Sequence, residues 1–509
     1  MDEIISKAIE GGIPVLLVVA GLFFIFVAIA EIEKIKVSST PLRFLLGIIG
    51  SALFFIGTFA YFQGLDSTLS ETTKPAVEIP NDITSEWFSS GELAMFNHSN
   101  RDRDYGIDEF SKGNYAQATD SFNKAILADP NDPEIQIYLN NSKIRESASR
   151  VVLAAVVPVY KEQNYAEAAL RGVADSQSMC NTNQNTAIEI VIADDANSLD
   201  RVSELSEQIV KMRVDEREIM GVIGHLTSAT TKEGLKVYEQ NSLATISPTS
   251  TSNFLKSEVF FRTPPSDEIN GRELANYIIG SLGKVKFEVL YTPRDLYSES
   301  LLRAFQSEFE DSGGTLEEQD ISDENLDLES LVSSLNQKVS AIVFLPSTDF
   351  AARAIAIARV SKKINAENAL PMFGGDTLYS PDILQDGGSA VEGLVIAVPW
   401  FSTEKNEYAV KAKERWGGQV NWVTAMSFDA TQAFCHAISS SPLMSRSEIL
   451  ASLRSVSLPA SDTSGIQFKF DSTGDATRSP VLVKVVNALE DPGIDTPANT
   501  NYGFKLIKQ

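Results

Sequence analysis

From Arg150 to the end of the chain, short apolar runs alternate with amphipathic stretches, a pattern that few architectures accept. VVLAAVVPV and AIEIVIADD are strand-length runs rich in β-branched residues, while NYAEAALRGVADSQSM and LDRVSELSEQIVKM carry helical spacing of their apolar positions. IMGVIGH, TKEGLKVYEQN and SLATISP continue the alternation. KVKFEVLYT, SESLLRAFQSEFEDSG, LESLVSSLNQ, SAIVFLPS, FAARAIAIARVSKKI, PMFGG, LVIAVPWF and SFDATQAFCHAISSS complete it. Strands flanked by helices predict βαβ units and mostly parallel sheets covered on both faces. At roughly 360 residues the region exceeds what one hydrophobic core holds, so two doubly wound α/β lobes are expected.

The rest of the 509 residues needs a separate account. Residues 11–30, GGIPVLLVVAGLFFIFVAIA, and 44–62, FLLGIIGSALFFIGTFAYF, are uncharged runs close to the ~20 residues that an α-helix needs to cross a bilayer. A cleaved signal peptide competes for the first run, because Ala28-Ile29-Ala30 has a small-x-small pattern. The acidic Asp2 and Glu3 oppose that reading, since a signal peptide begins with positive charge. The loop between the runs carries Lys34, Lys36 and Arg43 and is expected to stay cytoplasmic, which puts everything after Phe62 outside. Residues 1–63 are therefore expected to be a two-helix transmembrane anchor, and 64–90, polar and Ser/Thr-rich, a linker.

Residues 91–149 form a helical segment in this reading. Gly106, Gly113, Tyr115, Ala118, Phe122, Ala125 and Pro130 follow a spacing that resembles one tetratricopeptide repeat. Gly113 and Ala118 would let two antiparallel helices approach, with Tyr115 and Phe122 filling the seam. A lone repeat cannot bury its own apolar face. It either leans on the neighbouring domain as a spacer or offers a docking face to a partner.

The net charge of −25 excludes nucleic acid as a partner, because phosphate binding needs a basic surface. With 43% hydrophobic and 22% charged residues, the chain has the composition of a folded protein. Cys180 and Cys435 either pair or remain buried thiols. His98, His225 and His436 show no metal-ligand spacing, and no cofactor motif appears.

Ligands of open α/β sheets sit beyond the carboxyl ends of the strands. After IMGVIG comes HLTSATT, opening a helix, and after SLATISP comes TSTSN; both turns are crowded with hydroxyls. A helix start with free N–H groups favours an anion. FEVLYT is followed by PRDLYSES with Tyr297, and PMFGG by Asp376. A hydroxyl-rich lobe facing a lobe with an exposed acid suits a zwitterionic amino acid. Each turn taken singly is also explained by capping.

GVIGHLTSATTKEGLKVYEQNSLATISPTSTS, with NYAEAALRGV, FRTPPSDEINGRELANYI, AMSFDATQAF and FDSTGD, resembles the branched-chain amino-acid-binding proteins of the type I periplasmic-binding fold. The resemblance runs in order from Val151 to Gln509. It implies a first lobe of about 150–262 plus 400–460 and a second of about 266–395 plus 470–509, within a binding domain of 150–509. It also implies that Ser228 binds the ligand carboxylate through hydroxyl and amide. Thr249 would offer its carbonyl to the ammonium, and Thr251 a hydroxyl and amide. Tyr165 would form an aromatic pocket wall, Tyr297 the second-lobe tyrosine, and Asp376 the ammonium partner. Ser347-Thr348 stand where the family often has an aromatic, which weighs against branched-chain aliphatic specificity and leaves a polar or larger amino acid, or an amide such as urea, open as ligand.

The expected function is capture of a small amino-acid-like solute by hinged closure, followed by delivery to an ABC permease; a ligand-sensing subunit that signals to a separate membrane partner is the alternative. Enzyme chemistry is not expected. Asp194 and Asp195 are adjacent on a strand and face opposite ways, and no nucleophile elbow or phosphate loop is present.

Overall fold

The computed structural model describes residues 85–508 apart from 148, 184–186, 284–285, 366–368, 439–443 and 492. The apolar runs at 11–30 and 44–62, with most of the linker, lie outside the described residues. Among the described residues no helix is long and apolar enough to cross a membrane.

The first lobe is a mixed sheet in the order β1–β3–β2–β5–β6–β7, with β4 paired to β5. Its strands are β1 (Phe88–Ser89), β2 (Val151–Val157), β3 (Ile188–Asp194), β4 (Arg213–Val214), β5 (Arg217–Ile223), β6 (Thr245–Ser247) and β7 (Phe260–Arg262). β2 is buried at every position, as expected of a strand covered on both faces. Val151, Leu153, Ala155 and Val157 enter one core and Val152, Ala154 and Val156 another, the period-2 signature of a strand.

Residues 263–266 then cross to the second lobe. Its sheet has the order β16–β15–β12–β11–β10–β8–β9, built from β8 (Lys286–Tyr291), β9 (Thr315–Asp320), β10 (Ala341–Leu345), β11 (Met372–Gly374), β12 (Val395–Val398), β15 (Val481–Asn487) and β16 (Tyr502–Lys508). A small hairpin, β13 (Ser457–Leu458) with β14 (Phe468–Lys469), lies between the last two chain crossings. Sequence alternation predicted parallel sheets; β1, β4, β15 and β16 are antiparallel. These four sit at sheet edges or in the closing ribbon, where no crossover helix follows to betray them.

The chain crosses three times, at 263–266, 399–406 and 470–480. Arg262 holds the first and third together, its Nε 2.6 Å from Asp475 and its Nη1 on the Thr251 and Ser252 carbonyls.

The segment before β2 forms α1 (Arg101–Ser111), α2 (Tyr115–Ala128) and α3 (Pro133–Ile144). Ala118 and Phe122 are fully buried. The tight contact is at Gly106, where a Cβ would stand 2.6 Å from the Phe122 ring. Gly113 serves differently from expectation: it takes φ +80° in the turn, with nothing within 4 Å of its Cβ position. α3 packs into the first lobe. The Asn141 side chain donates to the Ser90 and Ile190 carbonyls and accepts from the Ile190 N–H. Phe88 and Ser89, within the expected linker, pair with the outer edge of β3. This segment closes a sheet edge that would otherwise be open to association.

Between the strands of the first lobe run α4 (Gln163–Asn183), α5 (Leu199–Lys211) and α6 (Ser228–Tyr238); the second lobe carries α7 (Asp267–Leu282), α8 (Leu296–Asp311), α9 (Leu328–Lys338), α10 (Ala351–Ile364) and α11 (Pro381–Gly387). α12 (Glu407–Trp416), α13 (Trp422–Ile438) and α14 (Arg446–Leu453) return to the first lobe. α13 lies against α4 at Gly172, where a Cβ would meet the Thr424 carbonyl. The open question of the two cysteines resolves here: Cys180 on α4 and Cys435 on α13 form a disulfide across 255 residues of sequence.

Candidate functional site

The strand ends of the two lobes face each other across a cleft of about 760 Å³. Tyr165, Ser228, Thr249, Tyr297 and Asp376 all line it, as do Ser347 and Thr348.

On the first lobe, β5 ends at Ile223 and α6 begins at Ser228. Thr227 is its N-cap, accepting from the Thr230 N–H and closing a capping box. That places Ser228 in the first turn, where main-chain N–H groups point outward. Its hydroxyl is buried and has no hydrogen-bond partner in the structure. A buried, unpaired hydroxyl costs about 1–3 kcal/mol, a cost that an acceptor or donor atom in the cleft would relieve. The Thr249 hydroxyl donates to the Leu226 carbonyl at 2.7 Å and so braces the turn. Tyr165, half-buried at the start of α4, stands beside Thr249; burial and the Asp376 charge across the cleft push its phenol upward.

Thr251 is the exception. It is fully buried and is not among the cleft-lining residues. Its carbonyl accepts from Arg262 and from the Asp267 N–H, which anchors it to the first crossing instead of the cleft.

On the second lobe, Asp376 follows β11 and accepts a hydrogen bond from the Tyr297 hydroxyl at 2.5 Å. Gly375 makes the contact feasible, since a Cβ there would lie 2.3 Å from the Tyr297 oxygen. Burial pushes the Asp376 carboxyl up to about 6, against the downward pull of Tyr297 and two backbone N–H groups. Behind it, Asp267 is wholly buried beside Thr251. Desolvation raises it to about 7, and neither carboxylate oxygen has a hydrogen bond of normal geometry.

Several cleft residues escaped the sequence reading. Glu162 follows β2, and its carboxylate accepts from Asn197 Nδ2 at 2.7 Å. Asn197 follows β3 in the left-handed conformation at φ 48°. Asp295 precedes α8, Asp349 follows β10, and Lys161 reaches Asp349 from the other lobe at 3.8 Å. All stand at strand ends, so the rule that found Ser228 would have found them had it been applied to every strand.

Asp194 and Asp195 have separate partners. Asp194 pairs with Arg201 at 2.6 Å and Asp195 with the His225 ring at 2.8 Å, which makes His225 a buried structural residue. His98, some thirty residues before Asp129 and Asp132, brings a donor atom within 4.8 Å of theirs outside the cleft.

The fold is shared with known proteins. The Leu/Ile/Val-binding protein of Escherichia coli (strain K12) is 23% identical over 324 residues, covering 61% of this chain and 84% of that protein. A leucine-binding protein from Thermotoga maritima superimposes with a TM-score of 0.60 at 20% identity, over 70% of this chain and 99% of that one. A solute-binding protein of an ABC transporter from Rhodopseudomonas palustris BisB5, in complex with 3,4-dihydroxybenzoic acid, gives 0.59 at 14% identity, over 71% and 97%. The match to the family described as "Periplasmic binding protein" spans residues 162–489, more than half of the chain and none of the helical segment before β2. This chain therefore belongs to the periplasmic binding protein family.

Proposed function

We propose that the chain is an extracytoplasmic receptor for a small amino acid, which it captures by closure of two lobes and passes to an ABC permease. One observation carries the reading: the unpartnered Ser228 hydroxyl, at the open start of α6, lies across one cleft from the Asp376 carboxyl. An anion seat and a cation seat on opposite walls match a zwitterion. A ligand that bridges them favours the closed state, because it reaches both walls only there. The Cys180–Cys435 disulfide suits an oxidising compartment. Tethering by the apolar runs at 11–30 and 44–62 is part of the proposal and rests on sequence.

Thermal unfolding of the full chain with a panel of amino acids and amides tests the reading. A ligand at 100 times its dissociation constant adds about 2.7 kcal/mol to stability. A panel without any shift would reject amino-acid binding.

A further inference from the structure

We infer that Glu162 is a specificity-determining residue that selects an amino acid whose side chain ends in a cation. This rests on the amino-acid reading above and extends it to the ligand's third charged group.

Six carboxylates line the cleft (Glu162, Glu167, Asp295, Asp349, Asp376 and Asp382) against two cations, Lys161 and Arg171. Both cations already have partners: Arg171 lies 3.0 Å from Glu167, and Lys161 lies 3.8 Å from Asp349. Asp295 caps α8 through the Ser298 N–H, and Asp382 sits exposed in the first turn of α11, where a helix tolerates negative charge. Asp376 is assigned to the α-ammonium. That leaves Glu162, half-buried, with no ion-pair partner among the described residues.

Glu162 is held in place for a ligand. Its carbonyl accepts from the Tyr165 and Ala166 N–H groups, the first main-chain bonds at the start of α4. The side chain turns to Asn197, and Asn197 Oδ1 accepts from the Thr227 hydroxyl at 3.2 Å. Thr227 immediately precedes Ser228, so one chain of hydrogen bonds ties Glu162 to the carboxylate seat. An aliphatic side chain closing over Glu162 would desolvate a carboxylate without pairing it, which discriminates against such ligands. An ammonium or guanidinium group would neutralise it.

Calorimetry on the full chain in detergent, with arginine, lysine, ornithine, glutamine, leucine and glutamate, tests this. At least one cationic amino acid should bind tenfold or more tighter than leucine. Glu162→Gln should remove that preference, and Glu162→Asp, which keeps the charge, should retain it; thermal midpoints of both variants report folding. Equal or tighter binding of leucine, or an unchanged preference in folded Glu162→Gln, overturns the inference and leaves the amino-acid reading standing. If no amino acid binds, both fall.

Discussion

The two walls of the cleft solve the problem of holding charge in different ways. In the proposed binding mode the carboxylate seat on the first lobe is made of neutral dipoles, the Ser228 hydroxyl, the opening N–H groups of α6 and the Thr227–Asn197 bridge, with the Glu162 carboxylate beside them at the end of that bridge. Such dipoles need no counter-ion and sit comfortably whether the cleft is open or shut. The second lobe presents Asp376, a carboxyl pressed between Tyr297 and its own backbone and raised to about 6 by burial. That wall is under electrostatic stress until a cation arrives. The asymmetry places rigidity on one side of the hinge and ligand dependence on the other.

Asp376→Asn attacks the stressed wall and should give the largest effect. Leaving a buried ammonium without its anion costs about 3–5 kcal/mol, a loss in affinity of a hundredfold or more by calorimetry. The ligand-free variant should be no less stable than wild type, because the substitution removes a desolvated acid. An affinity within threefold of wild type would move the ammonium seat elsewhere.

The rigid wall is tested by its staple. Cys180 and Cys435 tie α4 to α13 within the first lobe, and no other cysteine exists in the chain. Replacing both by Ser should lower stability in urea unfolding by about 2–4 kcal/mol. Ligand affinity at 25 °C should stay near the wild-type value, since the seats do not include the disulfide. A large loss of affinity without loss of stability would contradict the assignment of rigidity to this lobe. Ser228→Ala removes one donor from the neutral wall and should weaken binding by about 1–3 kcal/mol. Equal binding across an amino-acid panel would show that Ser228 does not touch the ligand.

How much of this was readable in the residues differs between the lobes for a physical reason. The continuous apolar run of β2 and the hydroxyl-rich turn before α6 are local signals, so strands, helices and the turn that holds Ser228 could be read directly. Asp376 and Tyr297 were picked out at strand ends and given their roles by the resemblance, but their contact beside Gly375 depends on a helix start and a strand end 79 residues apart meeting in space. Thr251 stands apart because its carbonyl, not its hydroxyl, is taken up by Arg262 at the first crossing, and the residue does not line the cleft. Glu162 and Asn197 were missed because a charged residue opening a helix reads as a cap. β1 was missed because two residues carry no periodicity at all.

The smallest effect, and the one that separates the two walls most cleanly, is on pH. For the free protein, Asp376 and Asp267 are raised to about 6 and about 7, above the unfolded carboxyl value of about 3.9. An acid raised by folding contributes its stability fully below the unfolded pKa and loses it as pH rises through the folded one. Ligand-free thermal midpoints should therefore gain, from these two groups, as pH falls from about 8 towards 4. Ligand affinity should move the opposite way, because the ammonium needs an ionised Asp376. It should be flat above pH ~7 and weaken by up to tenfold per unit below pH ~6, about 1.4 kcal/mol per unit. The neutral carboxylate seat predicts no such slope, so Ser228→Ala should keep the wild-type profile at reduced affinity, while Asp376→Asn should remove the part due to Asp376 and leave the part due to Glu162, whose carboxyl burial also raises. Calorimetry at pH 5, 6, 7 and 8 distinguishes them. A wild-type profile without slope between pH 5 and 7 would mean that the second wall holds its ligand without charge, and the contrast between the lobes would fail.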